Sequence, residues 1–329
     1  MTTVSINKPN LLKFKHVKSF QPQEKDCGPV TSLNFDDNGQ FLLTSSSNDT
    51  MQLYSATNCK FLDTIASKKY GCHSAIFTHA QNECIYSSTM KNFDIKYLNL
   101  ETNQYLRYFS GHGALVNDLK MNPVNDTFLS SSYDESVRLW DLKISKPQVI
   151  IPSLVPNCIA YDPSGLVFAL GNPENFEIGL YNLKKIQEGP FLIIKINDAT
   201  FSQWNKLEFS NNGKYLLVGS SIGKHLIFDA FTGQQLFELI GTRAFPMREF
   251  LDSGSACFTP DGEFVLGTDY DGRIAIWNHS DSISNKVLRP QGFIPCVSHE
   301  TCPRSIAFNP KYSMFVTADE TVDFYVYDE

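Results

Sequence analysis

The amino-acid sequence predicts an all-β chain wound into a seven-bladed propeller, its ring closed by an N-terminal strand that completes the last blade. Three observations predict it. An aromatic or apolar residue followed by a tight-turn motif recurs seven times, 40 to 50 residues apart. Each turn leads into a strand-like run rich in small residues, then into a run that alternates apolar and polar positions. Alternation with period two is what a strand buried on one face requires, and a repeat of this length marks stacked supersecondary units. Finally, the seventh repeat lacks an outer strand, whereas an alternating segment, FKHVKSF, precedes the first repeat and has no place within it.

The elements follow in order. Residues 1–13 read as an N-terminal extension and residues 14–20 as the closing strand of one domain spanning 1–329. Phe35 precedes the turn DDNG, then FLLTSSS and TMQLYSA. Phe77 precedes the vaguer THAQNE and, later, FDIKYLNL. Met121 leads through NPVND to TFLSSSY and SVRLWDL, and Tyr161 through DPSG to FEIGLYNL. Phe209 leads through SNNG to KYLLVGSS and KHLIFDA, Phe258 through TPDG to EFVLGTDY and RIAIWNH, and Phe308 through NPKY to VDFYVYDE. The turns carry Asp, Asn, Pro and Gly because those residues reach the backbone angles of a tight reversal.

The third repeat opens with Gly111-His112 and closes with Trp140-Asp141. This Gly-His to Trp-Asp signature resembles the WD-repeat family of β-propellers. The resemblance implies a hydrogen-bonded tetrad, here His112, Ser130, Asp134 and Trp140. A buried network of that kind, fully satisfied, rigidifies a core, so the four residues are expected to be structural. Other repeats keep fragments: His299 with Asp319, Asp271 with Trp277, and Thr44, Asn48 and Tyr54 at the spacing of Ser130, Asp134 and Trp140.

Several classes are disfavoured. GxxxxGK[ST] and HExxH motifs are absent, so no phosphate loop or zinc-protease helix is expected. A net charge of −7 argues against a general nucleic-acid surface. No apolar run is long enough to span a bilayer, and MTTVSINKPN lacks the apolar core of a signal peptide. The eight cysteines form no CxxC pair. Cys296, His299 and Cys302 include three possible zinc ligands, but His299 precedes Phe308 by the offset at which His112 precedes Met121. That favours a repeat position, and neither metal nor cofactor is expected.

The stretches LLKFKHVKSFQPQ, NDTMQLYSATNCKF, GALVNDLKMNPVNDTFLSSSYDESVRLWDL and TADETVDFYVYDE resemble yeast-type WD-repeat subunits shared by two nuclear assemblies. One is COMPASS, the histone lysine-four methyltransferase complex; the other is the cleavage and polyadenylation factor. The resemblance implies a non-catalytic scaffold in the nucleus. Its partners would be the N-terminal region of a SET-domain methyltransferase, other COMPASS subunits and the polyadenylation factor's phosphatase module. The phosphorylated tail of RNA polymerase II would be a further partner, and neither direct nucleic-acid nor membrane binding is implied. The alternative is a free-standing phosphopeptide-reading adaptor, for example of a ubiquitin ligase.

The loops supply candidate binding residues. Lys68, Lys69, Arg243, Arg248 and Arg304 suit charge-assisted bonds to phosphoserine. Glu24, Asp26, Glu135, Glu249, Asp269 and Glu300 in the same loops weaken a positive field, so ordinary solvated loop charge is the competing reading. The long loop from Ile240 to Ser255 carries Phe245, Met247, Phe250 and Leu251. These side chains either anchor a partner peptide or fold back on the rim.

Overall fold

The computed structural model describes residues 8–21, 28–153, 158–198, 200–246, 253–280, 286–296 and 302–327. Seven antiparallel sheets form the seven blades. Blade one comprises Val30–Phe35, Phe41–Ser46, Thr50–Ser55 and Lys60–Ala66, and blade two His73–Phe77, Glu83–Ser87, Ile95–Asn99 and Gln104–Phe109. Blade three comprises Val116–Met121, Thr127–Ser132, Ser136–Asp141 and Ile144–Pro152, and blade four Cys158–Tyr161, Val167–Asn172, Glu177–Asn182 and Leu192–Lys195. Blade five is Trp204–Phe209, Tyr215–Ser220, Lys224–Asp229 and Gln235–Ile240, and blade six Ala256–Phe258, Phe264–Asp269, Arg273–Asn278 and Gly292–Pro295. Blade seven joins Ser305–Phe308, Met314–Ala318 and Val322–Tyr327 to Phe14–Phe20.

Each aromatic or apolar anchor read from the sequence ends the innermost strand of its blade. The core lies between blades: Met314, Val316 and Phe324 of blade seven pack with Leu42 and Tyr54 of blade one. Phe109 of blade two meets Phe128 and Trp140 of blade three. Polar ties also cross seams between blades. Asn122 Nδ2 donates to the Gly165 carbonyl (2.9 Å) and Asn309 Nδ2 to the Gly39 carbonyl (2.8 Å). Gly39 has φ +65°, and a Cβ there would lie 2.2 Å from Asn309 Oδ1, so both the turn and the seam require glycine.

Ring closure is antiparallel, with register from Phe14↔Tyr327 to Phe20↔Val322 and a bulge between His16 and Lys18. Phe14 is buried against Phe308, Phe315 and Tyr327, with ring centroids 5.4 to 5.9 Å away. The short helix Lys8–Leu11 precedes it, and Leu11 is fully buried in the cluster of blades six and seven. One strand had no sequence signal. Val287–Leu288, from the connection within blade six, adds in parallel to the outer strand of blade five. Leu288 fills the core between those blades.

Candidate interaction surface

The third blade holds a complete side-chain chain. Trp140 Nε1 donates to Ser130 Oγ (2.8 Å). Ser130 Oγ lies 2.7 Å from His112 Nε2, and His112 Nδ1 lies 2.8 Å from Asp134 Oδ2. The geometry fits a neutral imidazole that accepts from serine and donates to aspartate. Burial lowers the His112 pKa and outweighs the opposing pull of Asp134. Burial works against Asp134 as well. Hydrogen bonds from Ser136, the Gly113 N–H and His112 overcome it and hold that carboxyl at about 2.

The other blades diverge for visible reasons. In blade six Gly267 takes the place of Ser130, and a Cβ there would be 2.6 Å from Trp277 Cζ3. With no serine to meet, Trp277 Nε1 donates instead to the Ile240 carbonyl of blade five (3.1 Å). Asp271 does not act as a second Asp134. The buried acid is Asp269, which accepts from Arg273 Nη2 (2.7 Å) and the Arg243 N–H (2.8 Å). In blade one the Tyr54 hydroxyl donates to Gln52, and Asn48 accepts from Thr50 (2.7 Å). Asp319 of blade seven is buried, whereas His299 lies outside the described residues.

The loop candidates fall into two groups. Lys68 and Lys69 are exposed in the connection between blades one and two, with Lys69 Nζ 4.8 Å from the Tyr70 ring centroid. Arg243, Phe245 and Arg304 belong to connections around blades five to seven. Arg243 is ion-paired to Asp271 (2.9 Å). Arg304 is buried, its guanidinium 5.4 Å from the Phe245 ring centroid and bonded to the Pro246 carbonyl. Phe245 is buried against Tyr270 (6.1 Å between centroids). Of the two readings of this loop, Phe245 takes the one that folds back on the rim, because Arg304 and Tyr270 from neighbouring connections cover it. Arg248, Phe250, Met247 and Leu251 lie outside the described residues. Cys302 donates to the Tyr270 carbonyl. Burial pushes the Cys296 thiol up to about 12 and raises that of Cys302.

A central channel encloses about 520 Å³. The pairs Asp118–Lys120 (3.0 Å) and Lys206–Glu208 (2.7 Å) line it. Ser253 and Gly254 reach across its end. The Ser253 N–H donates to the Thr31 carbonyl of blade one (3.0 Å), and the Gly254 carbonyl accepts from Ile306 of blade seven (3.1 Å). Gly254 has φ +114°, and a Cβ there would lie 2.3 Å from Lys206 Cδ of blade five. Among the described residues no group of three or more His, Cys, Asp or Glu side chains is placed to hold a metal ion.

Comparison with known proteins agrees with this architecture. Residues 14–55, 103–141 and 254–278 match the WD domain, G-beta repeat. The chain is 33% identical to the Set1 complex component swd2 of Schizosaccharomyces pombe, over 99% of this chain and 100% of that protein. It is 36% identical to WD repeat-containing protein 82 of Drosophila melanogaster, over 95% and 94% of the two chains. It is 32% identical to the Arabidopsis thaliana protein ANTHESIS POMOTING FACTOR 1, over 91% and 87%.

Proposed function

The chain belongs to the WD-repeat family of these end-to-end relatives, and on that premise we propose that it is a non-catalytic scaffold subunit of a Set1-type histone methyltransferase complex in the nucleus. The observation that carries the proposal is the match to a Set1 complex component over the full length of both chains. Its partners are the N-terminal region of the SET-domain enzyme and the other subunits of that complex. The same propeller also serves the cleavage and polyadenylation factor, through its phosphatase module, and meets the phosphorylated tail of RNA polymerase II.

A non-catalytic role is supported by the His112–Asp134–Ser130 set itself. Ser130 is 0% exposed and already engaged by both Trp140 and His112. A nucleophile must reach a substrate, and this hydroxyl has no path to one. Affinity purification of the tagged protein from nuclear extract, read by mass spectrometry, tests the proposal. The expected result is co-purification of a SET-domain methyltransferase together with polyadenylation-factor subunits. Recovery of ubiquitin-ligase subunits in place of both overturns it.

A further inference from the structure

Blade two carries a tyrosine platform that the scaffold reading does not use. Tyr105 and Tyr108, both on its outer strand Gln104–Phe109, have ring centroids 5.3 Å apart. Tyr70, from the preceding connection, meets Tyr105 edge-on at 5.8 Å and Tyr108 at 6.5 Å. The rings are held from behind: the Tyr105 hydroxyl pairs with that of Tyr86 (2.9 Å), which pairs with Ser67 (3.0 Å). Beneath them Lys96 is buried, its Nζ 4.3 and 4.6 Å from the Tyr70 and Tyr108 centroids. Asp94 neutralises it at 3.1 Å.

Two further ammoniums surround Tyr70, Lys69 at 4.8 Å and Lys91 at 6.0 Å. Both are exposed, and no ion pair to either occurs among the described residues. Asp49 accepts from Thr89 Oγ1 at 3.4 Å. Tyr105, Tyr108 and Met90 are 37%, 40% and 43% exposed. The patch is thus aromatic, fixed in place and positive on a chain of net charge −7.

We propose that this platform docks an acidic, aromatic-containing peptide segment of a partner protein. Carboxylates meet Lys69 and Lys91, and an aromatic side chain lies on Tyr105 and Tyr108. Rigid tyrosines lose little entropy on binding, and opposite charge fixes the register and speeds encounter. The two cations are single-point ammoniums spread around one ring, without the guanidinium fork that favours a phosphate. That arrangement suits separate carboxylates. The inference holds whichever complex contains the chain.

Fluorescence anisotropy of the full chain tests it. The probe is a short fluorescein-labelled peptide of glutamates interspersed with phenylalanines. Saturable binding is expected, weakened about tenfold or more by the double variant Lys69→Glu/Lys91→Glu and by raised salt. Replacing phenylalanine by serine in the probe, or Tyr105→Ser in the protein, is expected to weaken binding as well. Thermal melting of each variant verifies that the ring is intact. Failure of the wild type to bind overturns the proposal. So does equal binding of a lysine-for-glutamate probe, unchanged binding by the double variant, or binding confined to a phosphoserine-for-glutamate probe. Complex purification with the double variant is a separate readout, so loss of peptide binding with the complex retained leaves the scaffold role standing.

Discussion

Ser130 is a small residue at the centre of a large consequence. It accepts from an indole and bonds an imidazole, so Ser130→Ala strands two buried polar groups at once. Each such group costs roughly 1–3 kcal/mol. Urea unfolding of Ser130→Ala is expected to show a loss of about 2–4 kcal/mol; a loss under about 0.5 kcal/mol would mean that the network contributes no stability. At Gly39 the strain is in the backbone. Gly39→Ala is expected to cost about 1–3 kcal/mol, because φ is positive there and the new methyl displaces Asn309. The tetrad residues were legible because their types and spacing are chemically restricted. The Tyr105–Tyr108 pair was not. In a regular strand residues three apart point to opposite faces. Tyr97 pairs with Arg107 but Leu98 with Tyr105, so a bulge at position 106 re-phases the strand and brings both rings to one side.

The inner three strands of each blade could be read from the chain because each has a defined chemical task. The first ends in a large anchor between blades, the second is small enough to admit its neighbours, and the third alternates. The outer strands face solvent on one side and a neighbouring blade only in part, so their sequences are loosely constrained. The two-residue strand Val287–Leu288 is too short to alternate at all. Burial of Arg304 and Phe245 was equally hidden, since residues from other connections cover them. The closing strand shows what an element contributes. Phe14 sits in an aromatic box of three rings from blade seven, and Phe14→Ala is expected to cost about 3–5 kcal/mol. Equilibrium unfolding checks this, with the exposed Lys15→Ala expected to stay within about 0.5 kcal/mol.

The whole ring responds to pH through histidines placed in its seams. Burial brings His73, His225 and His279 to about 4, below the value of about 6.5 in an unfolded chain. Between those values the unfolded chain binds protons that the folded ring does not, so stability falls as pH drops. His79 has the opposite sign. Burial lowers its pKa, but Asp37 and the carbonyls of Asn125 and Asn122 outweigh that and raise it. Its contribution is present below about 6.5 and is lost as pH rises through its folded value. His112, whose pKa burial also lowers, acts in the same direction, so four groups oppose one and the melting temperature is expected to be lower at acidic than at neutral pH. His279 lies among Tyr215, Phe237 and Phe258, and His279→Phe is expected to flatten that dependence. Deleting residues 1–20 should lower the melting transition of the entire ring, and an unchanged cooperative melt would contradict closure by the first strand. That closure also sets a clock. Phe14 and its partner Tyr327 are about 310 residues apart along the chain. At a ribosomal pace of roughly 5–20 residues per second, the first strand waits on the order of 15–60 s for its mate. Until then the apolar side chains at the two ends of that strand, Phe14 and Phe20, lack the blade-seven rings that cover them in the closed ring.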